Sequence, residues 1–337
     1  MKKSILYIGN KLFKHGNNAT SIDTLGTLLE NEGYTLYYSS SKRNKFLRIM
    51  EMIFKTLTYS RKVDFVLIDV YSTQNFWYAI IVSQLCRLLR VKYFAKLHGG
   101  NLPQRLKKNP YLCNLIFKNA YKNVAPSNYL KSEFSKEFSD NLIYIPNAIE
   151  IKNYEFNSRE IITPKLLWVR SFAKIYNPKM AIKVFAELKN IYPEAELCMV
   201  GPDKENLIKE CKLYKKSLNV KVKFTGKLSK NDWIELSKKY NVFINTTHFD
   251  NTPVSVIEAM ALGLPVVSTN VGGIPFLLKD KENSILVNDM DTNEMVKAVE
   301  IILKNNDFRI EIISNARELA EKFDWNQVRK EWIKVLK

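Results

Sequence analysis

Two doubly wound α/β halves, each a parallel sheet with helices on both faces, are the fold that the sequence predicts. Three observations lead there. Short apolar strands alternate with helical segments through most of the chain, the alternation starts afresh near Pro164, and 337 residues suffice for two domains of ordinary size.

The first strand occupies residues 2–8 and runs into a turn-rich loop, 9–18, that carries Gly9, Gly16, Asn17 and Asn18. Residues 20–32 place Ile22, Leu25, Leu28 and Leu29 at helical spacing, and Gly33 stops them before a strand at 35–38. A helix at 45–59, a buried strand at 64–70, a helix at 74–89 and strands at 92–97 and 123–125 continue the pattern. The second series has strands at 166–169, 196–200, 222–225, 242–245 and 265–268. Between and after them stand helices at 178–191, 205–218, 230–239, 253–262 and 292–304. The polar stretch 150–163, closed by Pro164, reads as a linker. Such sheets bind ligands at the carboxyl ends of their strands, which points to a cleft between the halves.

With 46% hydrophobic, 26% charged and 12% aromatic residues, the chain is neither disordered, collagen-like nor coiled-coil. Its longest apolar runs fall far short of the roughly 20 residues that span a bilayer, and only a few apolar residues follow Met1-Lys2-Lys3 before Gly9. Neither a transmembrane helix nor a signal peptide is expected. Cys86, Cys113, Cys198 and Cys211 are scattered and read as reduced, mostly buried thiols of a cytoplasmic protein. The formal charge of +18 is uneven: residues 1–163 hold 24 basic and 12 acidic side chains, residues 164–337 hold 28 and 22. A field of that sign favours anionic partners, among them phosphate-bearing small molecules, nucleic acid and acidic membrane surfaces. The chain lacks a helix-turn-helix, a zinc finger and an aromatic ribonucleoprotein motif, which disfavours nucleic acid. It also lacks a Gly-x-Gly-x-x-Gly turn, a Walker loop, a nucleophile elbow and a zinc helix motif.

The segment richest in chemistry is 250–275. Asp250 stands in the loop after a strand, and Thr252, Pro253, Val254 and Ser255 open a helix whose first amides are free to bind an anion. Glu258 follows about a turn and a half into that helix, so one nucleotide sugar fits both carboxylates: sugar hydroxyls on Asp250, diphosphate on the amides, ribose hydroxyls on Glu258. The bland alternative makes Asp250 a helix cap and puts Glu258 on a solvated face. A helical apolar stripe, Phe46, Ile49, Met50, Ile53, Phe54 and Leu57, reads either as a membrane-surface helix or, the better fit, as a helix packing its stripe on the sheet with the charges solvated. Basic residues at its rim would draw the first half toward anionic lipid.

The run from Asp250 through Glu258, Ala259-Met260-Ala261, Gly263-Leu264-Pro265-Val266 and Gly272-Gly273-Ile274-Pro275 resembles the donor-binding signature of retaining glycosyltransferases of family 4. Weaker matches spread over nearly the whole chain: the Gly9 loop, Lys96-Leu97-His98-Gly99-Gly100, Ile145-Pro146-Asn147-Ala148, Arg170, Val200-Gly201, Phe224-Thr225-Gly226 and Phe323-Asp324-Trp325. The resemblance implies a GT-B architecture, two Rossmann-like domains facing across a cleft. Residues 1–160 would be the acceptor side, 161–320 the nucleotide-sugar domain, and 321–337 a terminal helix packing back on the first domain. It implies metal-independent transfer with retention and no cofactor, with Arg170 and a lysine neutralising the diphosphate. Lys174 is the candidate lysine and Lys179 the reserve, because the family position falls on Ile175. Asp250 stands where the family has Glu. His98 is implied as a hydrogen-bonding stabiliser beside the donor sugar, and Gly9, Gly16, Asn17 and Asn147 as donor-binding positions. The implied partners are a UDP- or GDP-linked sugar and a glycan or lipid-linked acceptor, in cell-envelope polysaccharide or lipopolysaccharide synthesis. Competing readings are a non-catalytic sugar-nucleotide-binding homologue and a GT-B epimerase, though epimerases lack the context of the 250–275 run.

Overall fold

The computed structural model describes residues 2–13, 20–159 and 163–337. They divide into two compact units, one made of Met1–Ala148 with Val328–Lys337, the other of Ile149–Gln327.

The first unit contains β1 (Ser4–Ile8), α1 (Ser21–Asn31), β2 (Thr35–Ser39), α2 (Lys45–Tyr59), β3 (Phe65–Tyr71), α3 (Phe76–Leu88) and β4 (Lys92–His98). After these come α4 (Leu102–Lys108), α5 (Pro110–Phe117), β5 (Lys122–Ala125), α6 (Asn128–Phe138) and β6 (Leu142–Tyr144). Its sheet runs β2-β1-β3-β4-β5-β6, all parallel. β3 reads Phe-Val-Leu-Ile-Asp-Val-Tyr, apolar but for Asp69, and β4 is buried throughout from Tyr93 to Leu97, because helices cover both faces of a parallel sheet.

The second unit contains β7 (Lys165–Val169), α7 (Pro178–Ile191), β8 (Glu196–Val200), α8 (Leu207–Ser217), β9 (Lys223–Gly226), α9 (Lys230–Ser237), β10 (Val242–Asn245), α10 (Val254–Ala261) and β11 (Val266–Thr269). It continues with α11 (Ile274–Leu277), β12 (Ile285–Val287), α12 (Thr292–Lys304) and α13 (Asn306–Glu321); α14 (Trp325–Val335) carries the chain across the division. This sheet runs β12-β11-β10-β7-β8-β9, again all parallel. Trp168, Phe172 and Phe185 are fully buried between β7 and its helices. The Trp168 indole donates to Thr246 Oγ1 at 3.0 Å, and that hydroxyl in turn donates to the Asn177 carbonyl at 2.9 Å. A polar atom on a buried ring thus ties β7 to the loop after β10.

Most strands and helices lie where hydrophobic period places them. α4, α5, α6, β6, α11, β12 and α13 do not appear in that reading: α4, α5 and α11 are short and open on prolines at N1 or N2, and α13 starts at once after α12, its first turn capped by Asn305. The stretch taken as a linker is structured. Ile151–Asn153 form a 3₁₀ turn, Tyr154 is buried, and Ile149 N donates to the Phe323 carbonyl at 2.9 Å, so residues 149–159 belong with the second unit. The α2 stripe is also corrected. Ile49 packs against the core and Ile53 is half-buried, beside buried Arg48, Met52 and Thr56, but Phe46, Leu47, Met50, Phe54 and Leu57 are exposed. All four cysteines are free and buried, and no helix among the described residues is long and apolar enough to cross a membrane.

Gly201, at the end of β8, holds φ at +151°, and a Cβ there would lie 1.8 Å from the Arg170 carbonyl oxygen. That backbone cannot retreat cheaply, since Arg170 N donates to the Val200 carbonyl at 3.0 Å. Gly201→Ala should therefore lose about 2 kcal/mol or more in urea unfolding. An unchanged midpoint would mean the loop relaxes freely.

Candidate functional site

In the second sheet, successive strands are added outward from β7 on one side and from β10 on the other, so the loops leaving these two neighbours diverge. Ligands of doubly wound sheets bind at that reversal. Arg170 directly follows β7 and Asp250 lies in the loop after β10; the structure joins them, Arg170 Nη2 donating to Asp250 Oδ2 in a short ion pair. Both side chains are largely buried, at 13% and 17% exposure, where a charge-assisted bond is screened little. The Arg170 guanidinium also lies 4.9 Å from the Tyr176 ring centroid, and Asp250 Oδ1 accepts from Asn251 N at 2.7 Å.

Asp250 is thus not a helix cap. The N-cap of α10 is Pro253, which offers no side-chain bond, so the first turn at Val254 and Ser255 keeps its amide ends uncapped by side chains. Thr252, Val254 and Ser255 are half-buried, Pro253 is buried, and the Ser255 hydroxyl is a buried polar atom without a hydrogen-bond partner among the described residues. Such an atom calls for a partner that the protein alone does not supply. The Gly272-Gly273 pair sets this loop: a Cβ on Gly273 would meet the Asn251 carbonyl oxygen at 2.1 Å, and Gly273 N donates to the Asp250 carbonyl at 2.7 Å.

Glu258 is buried at 5% exposure, which removes the solvated-face reading. Its Oε1 accepts from Tyr154 Oη at 2.7 Å and pairs with Lys230 Nζ at 2.6 Å. Burial, then the neighbouring Glu258 charge, pushes the Tyr154 phenol far above its ordinary range, so it stays protonated and donates. Lys230 is half exposed and Tyr154 lies in the supposed linker, which is why neither stands out in the sequence. Lys174 opens a 3₁₀ turn, its backbone N donating to Glu205 Oε2 at 3.0 Å; its exposed side chain is not hydrogen-bonded to Asp250 or Glu258. Lys179 is held in a surface pair with Glu210 at 2.8 Å. His248 Nδ1 lies 2.9 Å from both carboxylate oxygens of Asp289.

The first unit builds a second constellation around its own reversal, between β1 and β3. Asp69, fully buried on β3, accepts on Oδ1 from Tyr7 Oη at 3.1 Å and lies 2.8 Å from His98 Nε2 at the end of β4. A carboxylate only accepts, so neutral His98 carries its proton on Nε2 and leaves Nδ1 as the acceptor. Burial lowers the His98 pKa, partly opposed by the Asp69 charge. The ring stacks on Tyr71 at 4.9 Å. Gly9 leaves room for this group: a Cβ there would lie 2.7 Å from Asp69 Oδ2, itself buried and unpartnered among the described residues. Buried Lys96 donates to Ser21 Oγ at 2.5 Å and to Asn147 Oδ1 at 3.1 Å, so Asn147 is engaged within the first unit. Gly16 and Asn17 lie outside the described residues. Asp69 and Tyr7 were not singled out from the sequence, and Lys96 stood in a motif without a role of its own, although a charge inside an apolar strand is itself a signal, because it requires a partner.

Residues 153–319 match the family model described as glycosyl transferases group 1. Over its whole length the chain is 24% identical to an uncharacterized glycosyltransferase of Haemophilus influenzae, covering 100% of both. A 27% identical stretch covers 48% of this chain and 44% of the Campylobacter jejuni enzyme named GalNAc-alpha-(1->4)-GalNAc-alpha-(1->3)-diNAcBac-PP-undecaprenol alpha-1,4-N-acetyl-D-galactosaminyltransferase. Among solved structures, Anabaena HepE in complex with UDP-glucose matches with a TM-score of 0.80 at 17% identity, covering 99% of both chains. Sucrose-phosphate synthase from Thermosynechococcus elongatus matches with a TM-score of 0.79 at 16% identity, covering 99% of this chain and 98% of that one. The fold is that of GT-B glycosyltransferases, and the group 1 match falls within the second unit.

Burial holds the Lys96 ammonium down at about 8 from an ordinary 10.5. Between these values the unfolded chain keeps a proton that the folded chain has released, so stability rises with pH through the window; below it, the cost of burying the charge is fully present. Urea titrations at about pH 7.5 and about pH 9.5 should show the wild type gaining about 2 kcal/mol relative to Lys96→Met. A difference that stays constant with pH would remove Lys96 from this account.

Proposed function

We propose that this chain, which matches the glycosyl transferases group 1 model at residues 153–319, is a glycosyltransferase that transfers a sugar with retention from a UDP- or GDP-linked donor to a glycan or lipid-linked glycan in cell-envelope synthesis. The observation that carries the reading is the Arg170–Asp250 pair beside the uncapped first turn of α10, at the strand-order reversal of the second sheet. The departing diphosphate gains charge in the transition state, and a guanidinium already oriented by Asp250 and stacked on Tyr176 meets that charge without reorganising. The α10 amides add donors along the same helix end. Glu258, ringed by Tyr154 and Lys230, is preset to accept ribose hydroxyls, with half-exposed Lys230 the partner free to swing aside. In the first unit, His98 with Nε2 held by Asp69 is a neutral, fixed hydrogen-bonding ring, which suits a stabiliser better than a base. A lipid-linked acceptor is supported by the polyprenyl diphosphate in the name of the Campylobacter jejuni relative.

Glu258→Gln should weaken UDP or GDP binding about tenfold or more, because an amide accepts more weakly than a carboxylate, while circular dichroism stays unchanged. Equal affinity in calorimetry would take Glu258 out of the nucleotide site. Arg170→Ala should slow turnover by about 100-fold, on the order of 3 kcal/mol at the transition state, with a far smaller change in thermal midpoint. Turnover should also survive EDTA, since this reading uses Arg170 and helix amides where other transferases use a cation; activity abolished by EDTA and restored by Mg²⁺ or Mn²⁺ would refute it. Thermal-shift screening of UDP- and GDP-sugars identifies the donor, since only ligands that bind the native state stabilise it.

A further inference from the structure

α2 turns two different faces outward and inward. Each residue of a helix advances about 100°, so Phe46, Leu47, Met50, Phe54 and Leu57 share an arc of about 100° on one side. All five are exposed, Phe46 at 70% and Phe54 at 67%. The opposite side, with Arg48, Met52 and Thr56, is buried and fixes the helix. Arg48 is the pin: Nη1 donates to Asn10 Oδ1 at 2.7 Å, Nε to the Lys42 carbonyl at 2.9 Å and Nη2 to the Arg43 carbonyl at 3.0 Å. Those bonds hold the preceding basic turn against the helix start. From Lys42 to Lys62 there are seven basic residues and one acid, Glu51, which is ion-paired with Lys55 and accepts from Ser40 Oγ. Lys42, Arg43, Lys45, Arg61 and Lys62 are exposed at the two ends of the apolar face. Lys45 Nζ donates to Gln74 at 2.6 Å just before α3, whose half-exposed Trp77 adds another large apolar group to the first unit's surface.

We propose that the outer face of α2 docks on an anionic lipid surface, the apolar residues entering the acyl boundary and the flanking lysines and arginines meeting the lipid phosphates. The charge selects this occupant. A second copy of the chain would bring another positive rim against this one, whereas an acidic bilayer complements both the apolar stripe and its ends. The rigid inner face means that no refolding is needed before contact. The inference stands on α2 alone and does not rest on the donor site.

The test is co-sedimentation of the full chain with vesicles of phosphatidylcholine containing phosphatidylglycerol, and with vesicles of phosphatidylcholine alone. The wild type should sediment with the first at low salt, be released at about 0.5 M NaCl, and ignore the second. Phe46→Ser/Met50→Ser/Phe54→Ser and, separately, Lys42→Gln/Arg43→Gln/Lys45→Gln should each weaken binding by about tenfold or more, both retaining the wild-type thermal shift with a nucleotide sugar. That retained shift separates failure here from failure of the donor reading. Absence of wild-type binding to acidic vesicles at low salt overturns the proposal, as does full binding by the serine variant. So does a wild-type dimer that the serine variant dissolves without any vesicle binding, or salt-sensitive DNA binding in place of lipid binding.

Discussion

Parallel strands leave all their carboxyl ends on one edge of a sheet, and a doubly wound sheet opens a crevice on that edge only where strand order reverses. The constraint acts twice in this chain. In the second sheet it falls between β7 and β10, so the residue after β7 and the loop after β10 become neighbours although 80 residues separate Arg170 from Asp250. In the first it falls between β1 and β3, placing Gly9 against Asp69. Each unit therefore places charged side chains taken out of solvent, Asp69 in the first and Arg170 with Asp250 in the second, where the backbone leaves room for a ligand.

The charges gathered there would be costly to bury alone, and each is held by a partner drawn from another element. Asp69 takes Tyr7 from β1 and His98 from β4, and Glu258 takes Tyr154 from the segment before β7 and Lys230 from α9. Such pairs contribute little net stability, because desolvation offsets the attraction, but they fix which atom points where. Preset orientation is what a site needs to meet a charge that appears only in the transition state. Each constellation also holds a buried polar atom without a hydrogen-bond partner among the described residues, Asp69 Oδ2 in one and Ser255 Oγ in the other.

The strands and long helices were legible because their apolar periods are set by burial on a parallel sheet, and the 250–275 run was legible because its glycines, carboxylates and helix start come in one continuous stretch. What escaped was whatever depends on distant chain. Nothing local in Tyr154 marks it as the donor to a carboxylate 104 residues later, and Lys230 looks like any lysine at a helix start. Asp250 was placed in the right loop, yet its partner had to come from the strand-order reversal, which local pattern does not encode. The 150–163 stretch looked like a linker from its polar composition, while buried Tyr154 and the bonds from Ile151 N to Asp324 Oδ1 and from Arg159 Nη1 to the Leu262 carbonyl fasten it to the second unit.

α2 shows where periodicity stops being informative. Its apolar residues keep helical spacing on two sides at once, so the pattern establishes a helix without saying which side meets the sheet. The richer stripe, with two phenylalanines, is the one left outside; the inner side holds Met52, Thr56 and the pinned Arg48, with Ile49 packed against the core beside them. Burying the richer side would have exposed Met52 and turned Arg48 away from Asn10, and the basic turn at Lys42 and Arg43 would have lost the bonds that shape it. The arginine therefore decides the phase of the helix. Its three hydrogen bonds leave no buried guanidinium donor group unserved in this phase, and the apolar surface left over is the surface available to a partner.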